Sequence, residues 1–205
     1  MHLLLTDRLA CPHCGPAFGL ILLARTLEER RVLEGELGCP NCRQRYAVRA
    51  GLADLRATAS STTPPSTLEA ATAEEALRVA ALVGVREGPA QVLLHGRAAR
   101  FAPTLAEQLP DVHWIADHPA VGSWSEQAGV ERVRTGGRLP FFDRSLRAVV
   151  VEGPDGGALA EASRVVQSRG RLVLLDPAAE EAGSVEAHGF VPLLDDPRAR
   201  VWERR

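Results

Sequence analysis

The chain contains no lysine: all 24 of its basic residues are arginine. That excludes Schiff-base chemistry on a lysine amine and the lysine of a phosphate-binding P-loop. No apolar run is long enough to span a bilayer, and Leu20-Ile21-Leu22-Leu23-Ala24 has the length of a buried strand. No secretory signal is visible, so the expectation is a cytoplasmic protein with no membrane contact. Net charge is also small, -2 over 205 residues, which gives no global bias toward nucleic acid or anionic lipid. Hydrophobic residues make up 45%, enough to bury a core in one large domain or in two small ones.

Cysteine is scarce too, and its four copies organise the front of the chain. Cys11 and Cys14 stand in Cys-Pro-His-Cys, and Cys39 and Cys42 in Cys-Pro-Asn-Cys. Two residues between sulfurs let a tight turn aim both thiolates at one tetrahedral ion. Two disulfides would need an oxidising compartment, and a thioredoxin-type pair would need only one such motif. Zinc is the expected occupant, although a rubredoxin-type iron site has the same ligands. Four thiolates close the coordination shell, so the ion is expected to be structural. His13, inside the first knuckle, reads as a solvent-facing turn residue.

Phe18 to Leu23 and Val32 to Leu37 read as strands around a charged turn or helical stub, Thr26 to Arg31. Residues 57–67, Ala-Thr-Ala-Ser-Ser-Thr-Thr-Pro-Pro-Ser-Thr, read as a linker. Beyond it the pattern alternates. A helix is predicted from Leu68 to Gly84, capped by Ser66 or Thr67, with Leu68, Ala71, Leu77, Ala80 and Ala81 inward. Strands are predicted over Gln91–Gly96, Val112–Asp117, Val130–Thr135, Arg147–Glu152 and Arg171–Asp176. Helices are predicted over Ala102–Leu109, Val121–Ala128, Ala158–Ser168 and Glu180–His188. A hairpin, Phe190–Leu194 with Arg198–Glu203, closes the chain. The expected fold class is α/β: a small zinc ribbon (1–56), a linker (57–67), and a Rossmann-like, mostly parallel sheet with helices on both faces (68–205).

Leu9, Cys11, Pro12, Cys14, Cys39, Cys42, Tyr46, Gly51 and Leu55 resemble the zinc-ribbon activator subunits of tRNA, rRNA and protein methyltransferases. In that family the ribbon binds and stabilises a methyltransferase domain. Three later stretches resemble class I S-adenosylmethionine-dependent methyltransferases: Val92-Leu93-Leu94-His95-Gly96, Leu139 to Val150, and Glu161 to Pro177. This resemblance implies Gly96 for the cofactor loop and Asp117 for the ribose hydroxyls. The chain departs from the pattern elsewhere. The loop reads Gly96-Arg97-Ala98-Ala99-Arg100 where the family has three glycines, whose lack of a Cβ admits the cofactor. No acid stands at Thr135-Gly136-Gly137. Glu152 and Asp155 follow the fourth strand, among glycine and proline that suggest a plain turn. No insertion is large enough to form a lid.

Three functions follow. The first is a methyltransferase-like scaffold that has lost catalysis and serves a protein or ribonucleoprotein partner, with zinc and no catalytic residue. The second is an active methyltransferase with its activator ribbon fused in cis, in which S-adenosylmethionine binds through Gly96 and Asp117, with Glu152 assisting. The third is a nucleic-acid-binding module using Arg43, Arg45 and Arg49 with Tyr46 between them for stacking; the alternative for Tyr46 is packing beneath the ribbon. His95 could plug the empty cofactor site, and Arg97 with Arg100 could hold an anion.

Overall fold

The computed structural model describes residues 1–56, 67–153, 156–177, 183–186 and 188–205. The expected linker thus falls, save Thr67, outside the described residues, as does Asp155. The front of the chain opens with a helical turn, α1 (Leu3–Thr6), capped by the His2 imidazole, which accepts from the Leu4 N–H. A short hairpin, β1 (Ala10–Cys11) and β2 (Gly15–Gly19), carries the first knuckle. Next come β3 (Ile21–Glu28), β4 (Arg31–Gly38), β5 (Arg45–Arg49) and β6 (Leu52–Asp54), joined as an antiparallel meander. The stretch expected as a helical stub is instead strand as far as Glu28. Glu29 and Arg30 then turn the chain with φ of 44° and 66°.

The remainder is α2 (Ala73–Val83), β7 (Ala90–Gly96), α3 (Ala102–Gln108), β8 (Val112–Asp117), β9 (Val130–Arg134), β10 (Leu146–Glu152), α4 (Gly156–Val165), β11 (Val166–Leu175), α5 (Gly183–Glu186), β12 (Phe190–Asp196) and β13 (Ala199–Arg204). Helix α2 begins later than its apolar pattern suggested. Thr72 and Glu75 form a reciprocal capping box there, and Gly84 ends the helix in the left-handed region. The late start selects Ala76, Val79, Ala80 and Val83 as the buried stripe and leaves Leu77 exposed. The helix expected over Val121–Ala128 is replaced by a 3-10 turn over Pro119–Ser123, in which the Ser123 hydroxyl donates to Ala120 O. Helix α4 stops at Val165 because Arg164 and Val165 turn their carbonyls to Arg144 and Ser145 at the approach to β10.

Eleven of the described strands form one sheet in the order β12-β13-β11-β10-β7-β8-β9-β6-β5-β4-β3. Strands β11, β10, β7, β8, β9 and β6 run parallel to their neighbours; β13 and β12 return antiparallel at one end and the meander of the ribbon at the other. The sequence alternates faithfully between faces. Val92, Leu94, Trp114, Ala116 and Val150 pack under α2 and α3. Leu93, Ile115, Val133 and Val149 pack on the other face with Leu159 and Ala162 of α4. That second core also contains Met1, Leu5, Leu9, Leu37, Tyr46 and Val48, so the ribbon and the Rossmann-like half share it. Trp114 and Trp202 are buried in these cores, and Trp124 packs partly buried against them. The apolar run Leu20–Ala24 departs from expectation: Ile21, Leu23 and Ala24 are exposed, because β3 is the last strand of the sheet. None of the described helices is long and apolar enough to cross a membrane.

Candidate functional site

The two knuckles meet at one point. Sγ atoms of Cys11 and Cys42 lie 3.7 Å apart and those of Cys14 and Cys39 3.8 Å. All four lie within 4.8 Å of one another, and all four are free thiols. A tetrahedron with metal–sulfur bonds of about 2.3 Å has edges of about 3.8 Å, so the donor set fits one closed four-sulfur site. Amide N–H groups point at two of the sulfurs. The Cys14 N–H points at Cys11 Sγ at 3.4 Å, and Asn41 Nδ2 donates to Cys14 Sγ at 3.3 Å. Burial raises the Cys39 pKa, but N–H groups of Cys42 and Asn41 outweigh it and bring the thiol down to about 7. Tyr46 is buried with its hydroxyl 3.7 Å from Cys11 Sγ, so its ring packs beneath the site and is not presented for stacking. Arg45 pairs with Glu36 at 3.0 Å, and His13 is exposed.

A second set of side chains gathers at the carboxyl ends of the parallel strands. A cleft of about 310 Å³ is lined there by His95, Gly96, Asp117, Thr135, Arg138 and Glu161, among others. Cross-strand register brings His95 opposite Asp117, and Gly96 opposite Glu152. Asp117 is buried. Its carboxylate contacts His95 Nδ1 at 2.8 Å and accepts from Thr135 N at 3.0 Å and from Thr135 Oγ1 at 2.5 Å. Gly96 has a φ of 70°, and a Cβ there would stand 2.5 Å from Glu152 O. The chain then enters a 3-10 turn, Arg97–Phe101, in which Ala98, Ala99 and Phe101 are buried. Arg100 lies over the Phe101 ring at 4.4 Å and reaches Glu152 at 3.1 Å and Glu75 at 3.4 Å. Arg97 stands 3.7 Å from Glu152. The two arginines therefore neutralise a buried carboxylate of their own chain.

Sequence reasoning missed two partners. Thr135, which stands where the methyltransferase pattern has an acid, supplies two donors to Asp117. Glu161, on α4, lines the same cleft. Its carboxylate accepts from Leu139 N and from Arg164, which hold it below the ordinary carboxylate range against burial.

A third cluster joins the two halves. Glu131 on β9 is fully buried, accepting from His2 N at 2.6 Å and contacting Arg31 and His113, each at 3.3 Å. Arg132 donates to carbonyls on both sides of the seam, Trp124 O and Ala50 O. Residues 130–135 were expected only as an alternating strand, a pattern that does not by itself mark Glu131 as buried. The ribbon covers it.

Residues 2–51 match the family described as Trm112p-like protein. The Trm112p-like segment thus ends just before β6, the strand that joins the two halves of the sheet. No curated protein matches the chain. Among solved structures, it is similar to a protein described as a sarcosine dimethylglycine methyltransferase from Galdieria sulphuraria, at 19% identity and a TM-score of 0.48, over 60% of this chain and 62% of that one. It is similar to the [4+2]-cyclase SpnF at 16% identity and a TM-score of 0.47, over 60% of this chain and 58% of the cyclase. It is also similar to a chain of the complex between the Haloferax volcanii Trm112 methyltransferase activator and a methyltransferase, at 17% identity and a TM-score of 0.47, over 62% of this chain and 71% of that one. The match thus spans about three fifths of the first two of these proteins. The parallel strand order around β10, β7 and β8, with helices on both faces, is that of a doubly wound, Rossmann-like sheet.

Proposed function

We propose that the protein is a methyltransferase-like scaffold, carrying a structural zinc ion on Cys11, Cys14, Cys39 and Cys42, that binds a protein or ribonucleoprotein partner in a reducing compartment. The observation that carries this reading is the state of Asp117. A carboxylate offers about four lone-pair sites, and His95 with the two donors of Thr135 engages three of them. A ribose diol at Asp117 would have to displace bonds that the fold already makes. The turn after Gly96 adds to this, since buried Ala98, Ala99 and Phe101 stand where a glycine loop would let backbone approach a ligand. A Trm112p-like ribbon and a Rossmann-like sheet lie in one polypeptide here, and the ribbon strand that meets the sheet edge is already paired. Partner binding is therefore assigned to other surfaces.

The second reading, an active S-adenosylmethionine-dependent methyltransferase, is favoured by the cleft itself. It lies at the carboxyl ends of β7 and β8, where doubly wound sheets take their ligands. Calorimetry of the zinc-loaded protein with S-adenosylmethionine and S-adenosylhomocysteine separates the two. No heat at millimolar ligand is expected. Micromolar binding that disappears in Asp117→Ala would overturn the scaffold reading.

A further inference from the structure

A hollow of about 560 Å³, larger than the cleft beside Asp117, opens at the other end of the parallel strands. Ala90 and Gln91 at the start of β7 line it, as does Arg147 at the start of β10. One wall belongs to the ribbon, through Leu4, Asp7 and Arg8, so the hollow is complete only when the ribbon is docked. Three arginines face this space: Arg8, Arg86 and Arg147. Elsewhere the chain matches arginines with acids, as in Arg31 with Glu126 and Glu131, and Arg164 with Asp143 and Glu161. None of these three has a carboxylate within 4.0 Å among the described residues. Arg8 and Arg147 bond only to neutral groups, Arg8 Nε to Gln91 Oε1 at 3.1 Å and Arg147 Nη1 to Arg169 O. Gln91 is itself fixed, since its Nε2 donates to Leu4 O at 3.1 Å. Arg8 is thus held by its Nε, and both its Nη groups stay unengaged among the described residues. Gln167, half-buried in the same lining, makes no side-chain hydrogen bond among the described residues. Asp7 and Glu87 also line the hollow, and neither is ion-paired there. Cations and acids that face one space without pairing leave both kinds of group open to a ligand.

We propose that this hollow binds a nucleotide: a phosphate monoester on a sugar that also carries a base. A phosphate matches the guanidinium fork through paired, charge-assisted N–H···O bonds, which the unengaged Nη groups of Arg8 can supply, with Arg86 and Arg147 adding charge. A bare anion would be repelled by Asp7 and Glu87. Sugar hydroxyls instead donate to those carboxylates, which accept and cannot donate when ionised. Leu4, Val85 and Pro89 offer apolar surface to a base, and the Gln167 amide offers its edge both a donor and an acceptor. The volume falls within the range of small-ligand sites. Doubly wound sheets take their cofactors at the carboxyl ends of the strands, so this site is separate from the cleft of Gly96 and Asp117. Because ribbon and sheet both contribute, a ligand here ties the two halves together.

The test is calorimetry of the full zinc-loaded chain with adenosine 5′-monophosphate, using adenosine and inorganic phosphate as controls. Micromolar binding of the nucleotide is expected, with both controls weaker. Arg86→Gln changes an exposed side chain that has no bond among the described residues to lose, so the fold is kept. It should raise the dissociation constant by about tenfold or more. Arg8→Gln should act in the same direction. Arg49→Gln, which removes an exposed arginine of β5 outside the hollow, should leave binding unchanged. Asp117→Ala should leave it unchanged too, which keeps this result apart from any binding in the cleft. No heat at millimolar nucleotide would overturn the proposal. Binding indifferent to both Arg8→Gln and Arg86→Gln, or abolished by Asp117→Ala, would overturn it by placing the ligand elsewhere. Adenosine or inorganic phosphate binding as tightly as the nucleotide would overturn it as well.

Discussion

Ala53 of the ribbon stands opposite Val133 of the Rossmann-like sheet in a parallel ladder, flanked by Leu52 against Arg132 and Asp54 against Arg134. Leu55 N extends the seam to Arg134 O at 2.8 Å. A second seam runs alongside, with Ala10 N on Pro140 O and Phe142 N on Arg8 O, each at 3.0 Å. Without the ribbon, β9 would be an open edge with Glu131 uncovered. The ribbon is thus a working part of the sheet, and loosening it should be felt in the whole molecule.

Glu131→Gln tests that dependence. The substitution keeps the shape but removes the charge that Arg31 and His113 face in a buried site. Breaking a buried ion pair from one side costs about 3 kcal/mol. Urea denaturation should show a loss of that order with an unchanged slope. Glu126→Gln, removing the more exposed partner of Arg31, should cost under about 1 kcal/mol. Equal effects would mean that the seam does not rely on the buried carboxylate.

Acid should open the same seam. Burial alone would raise the Glu131 pKa, but the His113 hydrogen bond, the Arg31 charge and the amino-terminal charge hold it below its ordinary value of 4.5. The folded state therefore binds fewer protons than the unfolded state. This contribution is fully present above pH 4.5 and is lost as pH falls through the folded value. The His2 pKa is lowered too, by burial and by His113, so its share begins to fall below its ordinary 6.5. Stability measured from pH 7 downward should decline in two stages, and the later stage should shrink in Glu131→Gln, leaving the share of Glu161 and the other paired carboxylates.

Much of this architecture was legible before the structure. Strand β8 was read to the residue, because Val112–Asp117 is bounded by turn residues and fits a strand buried on both faces. The four cysteines announced their own convergence through spacing. Two of the departures share one physical origin, the tertiary pairing of ribbon and sheet. Glu131 in an alternating strand looks exposed until another strand covers it, and Leu20–Ala24 looks buried until the sheet order puts it last. Thr135 gave no signal as a partner of Asp117, since a lone threonine in a Gly-rich loop is common and only the β8–β9 register brings the two together. The start of α2 is set locally, by the Thr72–Glu75 capping box that the sequence itself carries.

Gly96→Ala addresses the one glycine that remains in the expected cofactor loop. The new methyl would meet Glu152 O at 2.5 Å from a backbone at φ 70°. Both contributions are unfavourable for an L side chain, and the contact atom is backbone that cannot swing aside. A loss of about 2–3 kcal/mol is expected in thermal or chemical unfolding, whether or not any ligand is present. A neutral substitution would mean that the turn can relax, and with it the argument that this loop is closed.

The β3–β4 turn should respond in the opposite direction. Glu29 and Arg30 both hold positive φ, the requirement of the tight two-residue hairpin turn that Asn-Gly meets best. Glu29→Asn with Arg30→Gly should stabilise the protein by about 1 kcal/mol, read as a higher urea midpoint. Leu3 N, which donates to Arg30 O at 2.9 Å, keeps its acceptor because that acceptor is backbone. A drop in stability would show that the two charged side chains contribute more than their strained backbone costs.

Metal removal asks how far the ribbon depends on its ion once docked. Four sulfurs at edges of 3.7 and 3.8 Å are compatible with thiolates only if a cation lies between them. One equivalent of zinc per chain is expected by elemental analysis, and Cys39→Ser should lose most of it. In the stripped protein the core around Cys11, Cys39 and Tyr46 loses its centre, while β7, β10 and β11 keep their own two-sided core. Hydrogen exchange should therefore rise steeply at Val48 and Ala53 and stay slow at Val149 to Val151. Protection retained at Val48 and Ala53 without metal would show that the shared core and the Glu131 cluster suffice to hold the ribbon, and that zinc is dispensable once the sheet is complete.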